Sequence, residues 1–235
     1  MDSTDYFHSE APAGRSGPWL IEKITIPDRE YDAAADPRPD CFKFRPGRYT
    51  VLRRESEQFM TDLYDEWWTQ RPGIAEAVAR GGDVLVTGLG LGLVAEAMLR
   101  PSESRVKSIT IVELSPDVIR LVGPYLLSRH PGRIDLVEAS AFAWEPPDRA
   151  HFSVAWHDIW PNPYAPEVTA EMRRLQERYG DWCDWQGFWP RTYFEAAVSK
   201  RRPFETVASG LEPVQASQKH AAESDVPRQH FDRRS

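Results

Sequence analysis

The stretch DVLVTGLGLGLVAEAML, residues 83–99, decides the fold. Apolar residues typical of a buried strand lead into Gly88, Gly90 and Gly92, and a helix-like run follows. Each glycine costs about 0.5–1 kcal/mol relative to alanine within regular structure. We therefore expect a strand-to-helix turn whose backbone a ligand approaches closely. The alternative is a tight corner that binds nothing.

Strand-like and helix-like segments alternate after this turn. SITIVEL (108–114), RIDLVEA (133–139) and FSVAWHDI (152–159) have the composition of strands, and SPDVIRLVGPYLL (115–127) that of a helix capped by Ser115. This alternation predicts a doubly wound α/β fold with a mostly parallel, Rossmann-like sheet. No strong strand pattern follows residue 160, so we expect a sheet truncated after its fourth strand.

Composition divides the chain into four regions. Residues 1–17 are polar and predict a disordered leader, whereas residues 18–54 contain two strand patterns and predict a small N-terminal β element. Residues 55–198 form the expected Rossmann-like, cofactor-binding domain, and the charged residues 199–235 predict a flexible tail. Apolar residues at helical spacing predict that this domain opens with a helix near Glu55, divided in two at Pro72-Gly73.

Composition and charge restrict the class of protein. The 235 residues are 41% hydrophobic with nine tryptophans, which is enough for a substantial core. A net charge of −7 favours a small-molecule or cationic ligand over nucleic acid. Cys41 and Cys183 lack metal-ligand spacing, and no apolar run approaches a membrane span of roughly 20 residues. The sequence thus predicts a cytoplasmic protein with reduced thiols, no metal site and no nucleic-acid or membrane partner; a homodimer is compatible with it.

An acidic residue ends the strand that follows the glycine turn. Glu113 ends the second strand about twenty residues beyond the last glycine, at the edge where open α/β sheets bind ligands. An acid there can accept hydrogen bonds from both ribose hydroxyls of an adenosine. The glycines follow G-x-G-x-G, and no Gly-Lys-Ser/Thr is present, which disfavours a pyrophosphate ligand. The alternative is a surface glutamate in a protein with some other ligand.

Four segments together carry a resemblance to a known family. VLVTGLGLG, ITIVELSPDVI, IDLVEASAFAW and FSVAWHDIWP resemble class I S-adenosylmethionine-dependent methyltransferases, and within them the spermidine-synthase-like group, over about residues 50–165. The segment YDE, Tyr64 to Glu66, is similar to the Y-x-E segment that precedes the glycine turn in that group. The resemblance implies S-adenosyl-L-methionine as the cofactor.

The resemblance also implies roles for individual residues. The implied cofactor-binding residues are Gly88, Gly90, Gly92, Glu113, Leu114, Ser140 and Ala141. Asp158, at the end of the fourth strand, is the implied catalytic residue, and a turn or cap residue is the alternative. Tyr64 and Trp160 are candidate substrate contacts. His157 points to the opposite face of its strand from Asp158, so we expect a structural histidine.

Two positions depart from the family pattern. Thr87 stands where many methyltransferases carry an acid, and Leu91 stands where aminopropyltransferases carry an aspartate. The missing aspartate argues against aminopropyl transfer, because the cofactor's amine would lose its counter-charge. The sequence therefore predicts an S-adenosylmethionine-dependent methyltransferase with a small acceptor. The alternatives are an aminopropyltransferase-like enzyme and a non-catalytic cofactor-binding or assembly protein.

Overall fold

The computed structural model describes residues 6–28 and 46–191, which form two β-sheets and four α-helices. The strands are β1 (Gly14–Ser16), β2 (Trp19–Ile26), β3 (Gly47–Arg54), β4 (Glu57–Thr61), β5 (Gly82–Thr87), β6 (Val106–Glu113), β7 (Ile134–Glu138), β8 (Val154–His157) and β9 (Gln186–Phe188). The helices are α1 (Tyr64–Arg80), α2 (Leu93–Leu99), α3 (Pro116–Arg129) and α4 (Val168–Tyr179).

The larger sheet has the order β7-β6-β5-β8-β9, and all of its strand pairs are parallel. Alternate residues of the central strands enter two cores on opposite faces: Val84 and Val86 pack with α1, α2 and α3, whereas Leu85 packs with α4. The predicted doubly wound α/β fold is therefore confirmed. The strand order reverses between β5 and β8, which places a crevice at their carboxyl ends.

The sheet continues beyond the fourth parallel strand, contrary to the sequence-based expectation. β9 pairs in parallel with β8, with Gly187 opposite Trp156. It comprises three residues inside an aromatic segment, so no two-residue alternation marks it. Gly187 is required there because a Cβ at this position would overlap the ring of Trp156. Packing against β8, rather than local propensity, makes this segment a strand.

The smaller sheet joins β1, β2, β3 and β4 in antiparallel order. The expectation of a disordered leader over residues 1–17 is wrong for its described part, because Phe7, Ser9 and Ala11 are buried and β1 pairs with β2. The β element also extends past residue 54, since β4 pairs with β3. The tail at 199–235 and Cys41 lie outside the described residues.

A buried carboxylate fastens the N-terminal segment to this sheet. The Asp62 carboxylate accepts hydrogen bonds from the backbone N–H of Ser9 at 2.8 Å and of Thr50 at 2.7 Å. Ser9 in turn donates its hydroxyl to the carbonyl of Leu91, within the glycine turn. These contacts join the leader, the small sheet and the turn into one packed unit. The polar composition of the leader gives no sign of this packing.

Helix α1 differs from its prediction at both its start and its middle. Phe59, which belongs to the helical spacing, lies in β4, and the helix begins at Tyr64. It continues through Pro72 without a break. A proline inside a helix costs about 3 kcal/mol. Because Pro72 is exposed while Gly73 and Ile74 are buried against the sheet, tertiary packing offsets that cost. None of the four helices in the described part of the chain has the length and hydropathy of a membrane span.

We expect Asp62→Ala to destabilise the fold by about 2–4 kcal/mol, because it leaves two buried N–H groups without acceptors. Urea unfolding followed by circular dichroism measures the change. Asp148→Ala, at an exposed carboxylate, is the control and should change stability by less than about 0.5 kcal/mol. Equal stability of the two variants would show that the leader is not held by Asp62.

Candidate functional site

A cavity of about 550 Å³ opens at the carboxyl ends of β5, β6 and β8. Residues from both sheets line it, and its size lies within the range of about 300–1,000 Å³ typical of small-molecule sites. Most of the residues predicted from sequence meet there: Gly88, Gly90, Glu113, Leu114, Ser140, Ala141, Asp158 and Trp160. The crevice at the switch in strand order is therefore the candidate site.

Two predicted site residues lie outside this cavity lining. Gly92 adopts φ 75° immediately before α2, and a Cβ there would meet Val122 and Leu126 of α3. Its glycine is required by packing between the helices rather than by an approaching ligand. Tyr64 instead packs its ring edge-on against Tyr6, among the aromatic residues of the leader.

The other two glycines also face protein atoms. Gly88 has φ 96°, and a Cβ there would overlap the carbonyl oxygen of Asp158. Gly90 has φ 50°, and a Cβ there would overlap the sulfur of Met60, to which the Leu91 N–H donates a weak hydrogen bond at 3.3 Å. The turn is thus a tight corner that also forms one wall of the cavity, and the close approach of a ligand to its backbone stays a prediction.

The Glu113 carboxylate is held in place by backbone donors. One oxygen accepts the N–H of Leu89 and the other that of Ser115, each at 2.8 Å. A carboxylate oxygen has two lone pairs, so both oxygens keep acceptor capacity for a ligand in the cavity. This arrangement joins the glycine turn to the start of α3 and fixes an acceptor pair at the cavity wall.

Asp158 lies at the opposite side of the turn from Glu113, within a group of polar side chains on α1 and β8. Its carboxylate accepts a hydrogen bond from the Gln70 side-chain amide at 2.7 Å, and Glu66 lies close by in the cavity lining. Burial raises the pKa of Asp158 to about 7 and raises that of Glu66 well above its usual value. Asp158 is thereby suited to exchange a proton near neutral pH.

His157 lies on the other face of β8, as expected from strand alternation. Its ring stacks on Phe188 and Tyr179, and its nitrogens contact Thr87 at 3.0 Å and Gln186 at 3.2 Å. Burial lowers the pKa of His157 to about 4, so the ring is neutral at physiological pH. Thr87 is occupied by this contact and takes no part in the cavity lining.

The N-terminal sheet supplies a cavity wall that sequence reasoning missed. Trp19, Leu52, Arg54, Phe59 and Met60 face the glycine turn from β2, β3 and β4. Nothing in the sequence pairs these strands with the glycine turn, which lies about 30 residues from Met60 and about 70 from Trp19, because the contact is purely tertiary. Glu66 could have been found, since it belongs to the YDE segment.

Charge in the lining is strongly acidic. Arg54 is the single cationic side chain among the described residues that line the cavity. The acidic side chains there are Glu66, Glu113, Asp158, Glu167 and Glu171. Such a surface favours ligands that carry positive charge.

Comparison with known proteins found partial matches among solved structures only. No protein-family model matches the chain, and no curated protein is similar to it in sequence. The 23S rRNA methyltransferase ErmE is 21% identical and has a TM-score of 0.41, with 53% of this chain and 45% of that one covered. The N-methyltransferase NodS from Bradyrhizobium japonicum is 13% identical with a TM-score of 0.39, covering 50% and 62%. The [4+2]-cyclase SpnF is 23% identical with a TM-score of 0.33, covering 40% and 34%.

The likeness concerns the Rossmann-like fold alone. The chain spans less than two thirds of the length of each of these three structures. Two of them are methyltransferases and the third is a cyclase, so the fold by itself leaves the reaction open. None of the three is a spermidine synthase.

The prediction that excludes a nucleic-acid partner is wrong. Solved structures that match this fold include a methyltransferase of 23S rRNA. The exclusion rested on the net charge of −7, which averages over the whole surface. Binding of a polyanion depends on local patches of charge, so an acidic average does not restrict the acceptor to small molecules.

We expect Asp158→Asn to stabilise the protein above neutral pH. The unfolded carboxyl ionises near pH 4 and the folded one near pH 7, so the wild type loses stability as pH rises between these values. The variant should gain roughly 2–4 kcal/mol over wild type at about pH 8 and much less at about pH 5. Urea unfolding at both pH values measures the gain. A difference that does not depend on pH would contradict the raised pKa.

Proposed function

We propose that the chain binds S-adenosylmethionine across the glycine turn and transfers its methyl group to an acceptor. The observation that carries this proposal is the Glu113 carboxylate, which two backbone N–H groups hold at the wall of a cavity beside Gly88 and Gly90. A fixed carboxylate at the end of the second parallel strand suits the hydroxyl pair of a ribose. The matching structures contribute the fold, and the proposal rests on this geometry.

The residues present fit such a ligand. Ser140 and Ala141 follow β7 and line the cavity, where a hydroxyl and a small apolar side chain suit a purine base. The acidic lining suits a sulfonium and an ammonium group. Many methyltransferases carry an acid at the position of Thr87. Thr87 has a hydroxyl in place of a carboxyl, and it is buried against His157. Asp158 and Glu66 provide acidic groups in the same cavity instead.

The chain's contribution to the reaction is positioning and proton acceptance. When bound, S-adenosylmethionine supplies the methyl group: the acceptor's lone pair forms the new bond to carbon, and the electron pair of the broken C–S bond stays on sulfur. The walls formed by the two sheets exclude water and align the reacting atoms, which lowers the barrier by several kcal/mol. An ionised carboxylate at Asp158 takes the proton that the acceptor atom loses.

We expect Glu113→Ala to lower the affinity for S-adenosylmethionine and for its demethylated product by about tenfold to a hundredfold, because hydrogen bonds to a carboxylate are lost. Isothermal titration calorimetry measures the affinity. The matched control is Glu138→Ala: Glu138 is the register partner of Glu113 on β7 and is exposed. Equal affinities of the two variants, with both folded by circular dichroism, would overturn the assigned role of Glu113.

We expect transfer of labelled methyl groups from S-adenosylmethionine to at least one fraction of a cell extract separated into RNA, protein and small molecules. Measured at saturating cofactor, Asp158→Asn should lower this transfer at least tenfold, because proton acceptance is lost. Cofactor binding without any transfer would favour a non-catalytic binding protein. Product formed only from decarboxylated cofactor and a polyamine would favour an aminopropyltransferase, and absence of cofactor binding would overturn the proposal.

A further inference from the structure

The side chain of Gln70 occupies a central place beside the candidate site. It is fully buried on α1, between β8 and the cavity. Its Nε2 donates to Asp158 at 2.7 Å, and its Oε1 accepts from the indole of Trp156 at 2.7 Å. Glu66 lies one helical turn before it on α1 and lines the same cavity. The proposed methyl transfer assigns no role to the Gln70 side chain.

The orientation of this amide is determined by Trp156. An indole N–H donates only, so it must face the oxygen of the Gln70 amide. The NH₂ group, with its two donors, is therefore directed to the carboxyl group of Asp158, and the same amide lowers the pKa of the nearby Glu66 carboxyl. Trp156 is itself immobile, because it is fully buried, stacks on Trp185 and leaves no room for a Cβ at Gly73. Core packing therefore fixes the position of a hydrogen-bond donor between two acids.

We propose that Gln70 is a positioning residue that joins Glu66 and Asp158 into one proton-holding pair, and that this pair, rather than Asp158 alone, receives the proton of the methyl acceptor. This inference rests on the proposed function. In the step, the bond from the acceptor's nitrogen or oxygen to hydrogen breaks and its electron pair stays on that atom. The proton binds to a carboxylate oxygen of the pair, which becomes a carboxylic acid.

The electrostatics of the pair agree with this arrangement. Desolvation raises the pKa of both carboxyls, the negative charge of Asp158 raises that of Glu66 further, and the hydrogen bonds from Gln70 act against both shifts. Asp158 therefore loses its proton first and Glu66 keeps its own at higher pH. The titrations of the two carboxyls are therefore coupled.

Other charged groups around the pair come from several elements. Those recorded near its carboxyls or in the shared cavity lining are Asp65 on α1, Arg54 on β3, Glu113 on β6, and Glu167 and Glu171 at α4. Asp65 raises the pKa of Glu66 and Glu113 raises that of Asp158, because each adds a negative charge nearby. His157 faces the opposite side of β8 and stays outside the group.

Difference infrared spectroscopy of the full chain tests the pair without any acceptor, because protonated carboxyls have a resolved C=O band. We expect two titration steps in the wild type. Glu66→Gln should remove the upper step, and Asp158→Asn should move the Glu66 step to lower pH, because the neighbouring charge is gone. A Glu66 step unmoved by Asp158→Asn would overturn the pair. This comparison does not depend on a variant of Gln70.

Gln70→Leu tests the positioning role. Loss of a donor to two carboxylates should raise the pH of the Asp158 step by about one to two units. The acid limb of the methyl-transfer pH profile should move in the same direction. Gln58→Leu, at an exposed glutamine on β4, should move neither. A titration unchanged in Gln70→Leu would overturn the inference while S-adenosylmethionine binding still supports the proposed function. Absence of cofactor binding with an intact coupled titration would overturn the proposed function instead.

Discussion

The candidate site depends on the close approach of three strand ends at Gly88. Its N–H donates to the carbonyl of Val112 on β6 at 2.9 Å, and its Cα lies against the carbonyl of Asp158 at the end of β8. A side chain at this position would force β5 and β8 apart. Because the approach is so close, the carboxyl groups of Glu113 and Asp158 come to lie on two sides of one cavity. The main effect of the glycine turn is therefore to let the ends of β5, β6 and β8 approach one another closely.

Burial of acidic groups opposes stability in this region, and the surrounding structure offsets it. Glu66 and Asp158 are held away from bulk water, and each loses solvation that a surface carboxylate would keep. The hydrogen bond from Gln70 and the packing of Trp156 against α1, where Trp67 is also buried, hold these acids in place. Unfavourable burial of acidic groups is common where a group must exchange protons near neutral pH.

The sequence predicted the elements with strong local signals. The strand–glycine–helix unit, Ser115 as the cap of α3 and the alternation that places His157 and Asp158 on opposite faces all appear in the structure. The errors fell where tertiary contacts override local pattern. Phe59 suits a helix by spacing yet lies in β4, which pairs with β3, and the three residues of β9 became a strand only through contact with β8.

Local periodicity and residue chemistry by themselves determined the α/β class, the glycine turn and the candidate acid Glu113, because neighbours along one strand or helix carry those signals. The resemblance added Asp158. The tertiary structure decided which residues surround the cavity. It added the wall from β2, β3 and β4, brought Gln70 and Glu66 to Asp158, and left Gly92 and Tyr64 outside. These contacts join residues far apart in the chain, and no spacing rule specifies them before the core is packed.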